Sequence, residues 1–95
     1  MNIIGKGELD NFKRKHTDAR SKVESWIAEV EAVDWEKPLD IKQKYPKASF
    51  LPENQVIFDL KGNKYRLLVI VSYKNKTVFI KKAGTHEEYM KWNTK

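Results

Sequence analysis

Cysteine is absent from the 95-residue chain, which excludes a disulfide framework and a thiolate zinc site. The two histidines, His16 and His86, stand 70 positions apart with no acidic cluster joining them. No metal-ligand spacing is present, so no metal and no other cofactor is expected. His86-Glu87-Glu88 reads as three ligands in a row, yet neighbours on a helix point in different directions and do not converge on one ion. The longest unbroken apolar run, Leu67 to Val71, is far short of the ~20 residues that span a bilayer. There is no Gly-rich phosphate loop, no nucleophile elbow, no internal repeat and no low-complexity segment. The opening Met1-Asn2-Ile3-Ile4-Gly5-Lys6 has no long apolar stretch. The expectation is a cytoplasmic protein without signal peptide or membrane partner.

Positive charge is plentiful and uneven. Residues 1–47 carry ten Lys/Arg against nine Asp/Glu, whereas residues 48–95 carry nine against four. Nearly all of the net +6 therefore belongs to the second half. Clustered positive charge attracts polyanions, of which nucleic acid is the commonest in cytosol. Solubility alone is the plainer use of such charge.

The chain is organised around Val56 to Tyr89. Tyr65 to Tyr73 is rich in β-branched and aromatic residues with a continuous apolar centre, the pattern of a strand buried on both faces. Val56-Ile57-Phe58-Asp59-Leu60 precedes it and Thr77 to Ala83 follows. Gly62-Asn63 between the first two runs signals a tight hairpin, since both residues tolerate positive φ, and Lys74-Asn75-Lys76 makes the second turn. An antiparallel three-stranded meander follows from this spacing.

Upstream, Met1 to Ile4 suits a short edge strand. Leu9, Phe12, Ala19, Val23, Trp26, Ile27, Val30 and Val33 recur with helical period. The stripe weakens at His16-Thr17-Asp18, where Thr17 or Asp18 suits an N-cap. The spacing predicts two helices, about Lys6–Lys15 and Asp18–Ala32. His16 falls at their junction, where a surface role is the simpler one. The connector from Asp34 to Gln55 holds Pro38, Pro46 and Pro52, with one helical turn expected over Asp40–Tyr45, ended by Pro46. Trp35, Ile41, Tyr45, Phe50 and Leu51 are expected to pin it to the core, although aromatics among lysines also suit base stacking. At the other end, Thr85 and Glu88 have capping-box spacing, which puts His86 at a helix start and Tyr89 one turn later on the same face. Ninety-five residues make one domain, 1–95, of α+β class: a short N-terminal strand and two helices packed on a mainly antiparallel sheet, with the C-terminal meander and a short terminal helix.

A two-residue loop at Gly62-Asn63 sets Arg66 opposite Asp59 on one sheet face. That pair is either a plain cross-strand ion pair or a device that holds Arg66 ready for a phosphate. Across the next pairing Arg66 falls near Gly84-Thr85, which brings it toward His86 and Tyr89. Whether Lys81 or Lys82 shares that face depends on the turn between the strands. An arginine, a histidine, a lysine and a tyrosine suit cleavage of RNA by its own 2′-hydroxyl. The reaction needs a base, an acid and cationic charge on the phosphorane.

At these residues the chain resembles the HigB-type mRNA interferase toxins of the RelE superfamily. The resemblance rests on Phe58 to Leu67, on Val78 to Lys81, and on Gly84-Thr85-His86-Glu87-Glu88-Tyr89. It extends upstream through Trp26, Trp35 and Asp40 to Phe50. Asp59 and Lys61 stand where the family often has Asn and Gly, and Met90 where it often has an acidic residue. The resemblance implies a RelE-like fold and a toxin of a type II toxin–antitoxin system. It implies an endoribonuclease that cuts mRNA, commonly on the translating ribosome, and a HigA-type antitoxin with a helix-turn-helix domain. It implies catalytic roles for Arg66, His86, Tyr89 and Lys81. Arg66 would stabilise the phosphate charge and His86 would serve as acid or base. Tyr89 would stack a base or donate a hydrogen bond, and Lys81 would support the phosphate or take the 2′-OH proton. Asn63, Lys61, Lys64 and Lys82 are expected to contact RNA, with a pure turn role the alternative for Asn63. A non-catalytic RNA- or ribosome-binding module on the same fold is the second reading. A structural partner that docks an acidic protein is a third.

Overall fold

A computed structural model describes residues 1–92 of the chain. Strand β1 (Asn2–Ile4) leads into helix α1 (Lys6–Lys15), a 3₁₀ turn (Thr17–Ala19) and helix α2 (Arg20–Glu31). Helix α3 (Pro38–Lys44) and strands β2 (Ser49–Leu51), β3 (Gln55–Leu60), β4 (Tyr65–Ser72) and β5 (Thr77–Thr85) follow, then the single-turn helix α4 (His86–Tyr89). The strands form one sheet in the order β1-β5-β4-β3-β2. β1 runs parallel to β5 and every other pairing is antiparallel. This is the α+β arrangement expected, with the apolar β4 at the centre. Among the described residues no helix is long and apolar enough to cross a membrane.

The two sheet faces differ. Val56, Phe58, Leu60, Leu67, Val69, Val71, Val78 and Ile80 point to one face and are buried with Leu9 and Phe12 of α1 and Val23, Trp26 and Val30 of α2. α1 packs on β5 and α2 on β1. Phe58 is the hub of this layer: Trp26, Trp35 and Tyr45 surround it at ring-centroid distances of 5.3, 6.1 and 5.0 Å. Burial of each such side chain contributes about 1.5–3 kcal/mol, and each well-set aromatic pair about 0.5–1.5 kcal/mol more. Among the described residues the opposite face carries no helical layer. Ile57 and Leu68 are buried there, but Arg66, Ile70 and Ser72 are half-exposed. The middle strand is thus covered fully on one side and partly on the other, not on both as its apolar run suggests.

Close approach explains Gly5. It has φ +98°, and a Cβ there would sit 3.1 Å from both Cβ and O of Ile80, so the entry to α1 lies directly on β5. The Thr17–Ala19 turn corrects the expected N-cap. Neither Thr17 nor Asp18 caps α2, which starts at Arg20 without a side-chain cap bond, because the Asp18 carboxylate is engaged elsewhere. In the connector, α3 is longer than the expected turn. Pro38 opens it and Asp40 accepts from the Glu36 and Lys37 amides. β2 was not expected, and Phe50 within it is 38% exposed rather than in the core. Three residues between Pro46 and Pro52 carry too little pattern to read as a strand. Backbone pairing with β3 makes it one.

Candidate active site

The β3–β4 hairpin sets the site. Asp59 pairs with Arg66 and Leu60 with Tyr65, the register expected from the turn length. Positive φ falls on Lys61 (+52°) and Gly62 (+68°), however, and not on Asn63. The turn closes through the Lys64 amide donating to the Lys61 carbonyl at 3.3 Å. Arg66 Nε reaches Asp59 Oδ1 at 3.2 Å and its Nη1 donates to the Asn63 carbonyl at 2.9 Å. The Arg66 and Asp59 side chains are only 12% and 20% exposed. The guanidinium is therefore held at Nε and Nη1, and Nη2 makes no hydrogen bond among the described residues. A guanidinium fixed at two nitrogens with the third unbonded is suited to a phosphate.

β4 pairs with β5 so that Arg66 lies opposite Gly84 and Tyr65 opposite Thr85. β5 ends directly in α4 through the capping box anticipated from sequence. Thr85 Oγ1 accepts from the Glu88 amide at 3.1 Å and the Thr85 amide donates to Glu88 Oε1 at 2.9 Å. That backbone N–H, with Lys15 and His16 nearby, holds the Glu88 carboxyl below the usual carboxylate range. The His86 amide donates to the Lys64 carbonyl at 3.1 Å, which joins α4 to the hairpin turn. His86 and Tyr89 then share a face with ring centroids 6.0 Å apart, and Arg66 Cζ lies 5.2 Å from the Tyr89 ring centre. Arg66, His86 and Tyr89 are thus gathered around one aromatic ring at one end of the open sheet face.

The lysines divide. A bulge at Leu68/Val69 pairs Lys82 with Leu68 and Ile80 with Val69, leaving Lys81 as the extra residue. Ile80 and Ala83 both pack toward the helical core, so the exposed Lys81 and Lys82 between them both lie away from it. Pairing with Leu68 puts Lys82 on the Arg66 face, and Lys81 is the exposed, unpaired residue of the bulge. Lys82 Nζ stands 5.9 Å from the Trp92 ring. Lys81 has no hydrogen bond or ion pair among the described residues. Lys61 and Lys64 are instead drawn to Asp18, at 3.1 and 2.7 Å from Oδ2. The Asn63 side chain is exposed, and its carbonyl does the structural work on Arg66.

Two participants escaped the sequence reading. Trp92 packs edge-on to Tyr89 at 5.7 Å and lies over Gly84, where a Cβ would come within 3.2 Å of Trp92 and 3.0 Å of Glu88 Oε1. Its spacing of three residues from Tyr89 was the available signal. Asp18 had none, because its partners lie 43 to 47 residues away. Lys64, Tyr65 and Lys61, in that order of effect, hold its carboxyl well below the usual carboxylate range. A depressed carboxyl contributes stability above its unfolded pKa of about 3.9, and the contribution is lost as pH falls below that value. The difference in Tm between wild type and Asp18→Asn is therefore expected to be full at pH 5–7 and to close below about pH 4. A difference constant from pH 7 to pH 2 would show that the carboxylate's charge is not what these contacts use.

Among the described residues no three His, Cys, Asp or Glu side chains gather as a metal site requires. The HigB toxin family, described as the RelE-like toxic component of a toxin–antitoxin system, matches residues 19–92. The chain is also 26% identical over 93 residues to the mRNA interferase HigB of Escherichia coli O6:H1 (strain CFT073), an alignment that covers 96% of this chain and 90% of that protein. With its α+β sheet and the match spanning most of its length, the chain belongs to the HigB toxin family of RelE-like toxins.

Proposed function

We propose that the chain is an mRNA interferase that cleaves RNA by attack of the 2′-hydroxyl on the adjacent phosphorus, without a metal ion. The convergence of Arg66, His86 and Tyr89 at the Gly84 end of the open sheet face carries this reading. The 2′-OH loses its proton to a base and forms a bond to phosphorus. The bond to the 5′-oxygen breaks, and that oxygen takes a proton from an acid. A 2′,3′-cyclic phosphate and a 5′-hydroxyl result. Arg66 offers the phosphorane its unbonded Nη2, where a preorganised cation stabilises the developing charge most. His86 serves as one of the two proton-transfer groups, and its exposed ring at the start of α4 is open to substrate. Tyr89 stacks a base flanking the scissile bond or donates a hydrogen bond to it. Lys81 and Lys82 supply further charge along the backbone, with Lys81 adjacent to the phosphate. Asn63, Lys61 and Lys64 border the RNA path.

As a toxin of this family the chain has an antitoxin as partner. A HigA-type protein with a helix-turn-helix domain is the kind proposed, and mRNA on the translating ribosome is the proposed substrate. The relative's name, mRNA interferase, supports the activity. Purified protein is expected to cut naked RNA in EDTA and translated mRNA in magnesium, in both cases leaving 2′,3′-cyclic phosphate ends. Cleavage of naked RNA that needs magnesium and leaves 3′-hydroxyl ends would overturn the mechanism. RNA or ribosomes bound without any cuts would make the same residues a recognition surface.

A further inference from the structure

The β3–β4 turn bonds through its backbone to both Arg66 and His86 at the centre of the proposed site. Its Asn63 carbonyl accepts from Arg66 Nη1 at 2.9 Å, and its Lys64 carbonyl accepts from the His86 amide at 3.1 Å. The turn is not at rest on its own. Lys61, a residue with a Cβ, has φ +52°, in the left-handed region that such residues rarely occupy without outside support. The support comes from the other layer of the molecule. Asp18, in the 3₁₀ turn between α1 and α2, accepts from Lys61 Nζ at 3.1 Å and Lys64 Nζ at 2.7 Å through Oδ2, and from the Tyr65 hydroxyl at 2.6 Å through Oδ1. The Tyr65 ring is itself packed edge-on to Phe12 at 5.2 Å and against His16 at 5.0 Å. Asp18 is thus tied to a fixed ring on one side and to both ends of the turn on the other.

We infer that Asp18 is a positioning residue for the proposed ribonuclease site, holding from the helical layer the turn whose carbonyls seat Arg66 and the start of α4. The inference rests on the proposed function for its kinetic consequence and on the geometry alone for its structural one. Asp18 also occupies two cations that would otherwise be free to attract RNA. Removing it therefore acts on the two kinetic constants in opposite senses. The turn loosens, so the reacting groups lose alignment and kcat falls. Lys61 and Lys64 are released, so RNA binds at least as well. Misplacement of catalytic groups by about 1 Å costs up to roughly a hundredfold in rate.

The test compares Asp18→Asn, Asp18→Glu, and Lys61→Met combined with Lys64→Met on one RNA substrate. Asp10→Asn serves as the control: it changes the net charge equally, and among the described residues Asp10 pairs with Lys13 of its own helix rather than with the turn. Asp18→Asn is expected to lower kcat by about tenfold to a hundredfold with KM unchanged or lower. Asp18→Glu is expected to recover most of the loss, and Asp10→Asn to match wild type. The lysine pair variant is expected to lower kcat similarly while raising KM, because it loosens the turn and removes two cations. An Asp18→Asn kcat within twofold of wild type would overturn the inference, as would a rise in KM without a fall in kcat. Hydrogen exchange gives a measure free of activity. The His86 amide is expected to exchange faster in Asp18→Asn while the Val69 amide in the central strand keeps its protection. Unchanged His86 protection would overturn the inference even if RNA cleavage were lost. Failure of the ribonuclease reading is separately visible, as a wild-type protein that cuts no RNA while the His86 measurement still stands.

Discussion

Arg66→Ala is expected to lower the rate of RNA cleavage by about 10²–10³-fold, the usual loss when a preorganised donor to a developing oxyanion is removed. The effect falls on kcat more than on KM, since Lys81, Lys82 and the rest of the basic half still attract RNA. Geometry explains why one side chain carries so much. Asp59 takes Nε and the Asn63 carbonyl takes one proton of Nη1, so the fork is oriented before substrate arrives. The remaining Nη1 proton and both on Nη2 are left for phosphate oxygens, a bidentate set that lysine cannot offer. Arg66→Lys is therefore expected to restore little. Asp59 lowers the net charge at this spot, which is the cost of the orientation it provides. Removing the guanidinium also leaves that carboxylate half-buried without a partner, for a loss of about 1–3 kcal/mol in stability. Single-turnover cleavage beside thermal unfolding separates the two effects. A folded Arg66→Ala protein that cuts at the wild-type rate would remove Arg66 from the chemistry.

How far these residues were legible depends on the range of the contact that places them. The register of Asp59 against Arg66 follows from a short turn, and the capping box from Thr85 and Glu88 three residues apart. Both are local, so composition and spacing suffice. Helix α1 was legible to its ends because Leu9 and Phe12 face the core and Gly5 precedes it. The bulge at Lys81-Lys82 was not, because it arises where β5 must place both Ile80 and Ala83 on the core side. That demand comes from the helices above, not from the strand. β2 is held by backbone pairing with β3 across a three-residue stretch, which leaves no period to count. Asp18 looked like an N-cap, since a carboxylate before an apolar stripe often is one. The lysines and tyrosine of a distant hairpin claimed it instead. Its local preference lost to three charged or polar partners that only the fold assembles.

His86→Gln is expected to reduce kcat by about 10²–10⁴-fold, the range for loss of a positioned acid or base. Glutamine keeps a polar side chain at the start of α4 but cannot give up or accept a proton. The Thr85–Glu88 capping box and the His86 amide bond to Lys64 do not involve the imidazole. The fold and RNA binding should therefore persist, with Tm and KM near wild type. The substrate's leaving group decides which proton His86 moves. RNA with sulfur in place of the 5′-bridging oxygen departs as a thiolate and needs no acid. If His86 protonates the leaving oxygen, His86→Gln cuts this substrate almost as fast as wild type does. If His86 takes the 2′-OH proton, the defect remains, and the acid must come from another group at the same end of the sheet, with Tyr89 and Lys81 the nearest in the arrangement proposed. A His86→Gln protein that cuts ordinary RNA at the wild-type rate would exclude both roles. Both proton transfers would then fall to other groups at the same end of the sheet, with Arg66 still supplying charge to the phosphorane.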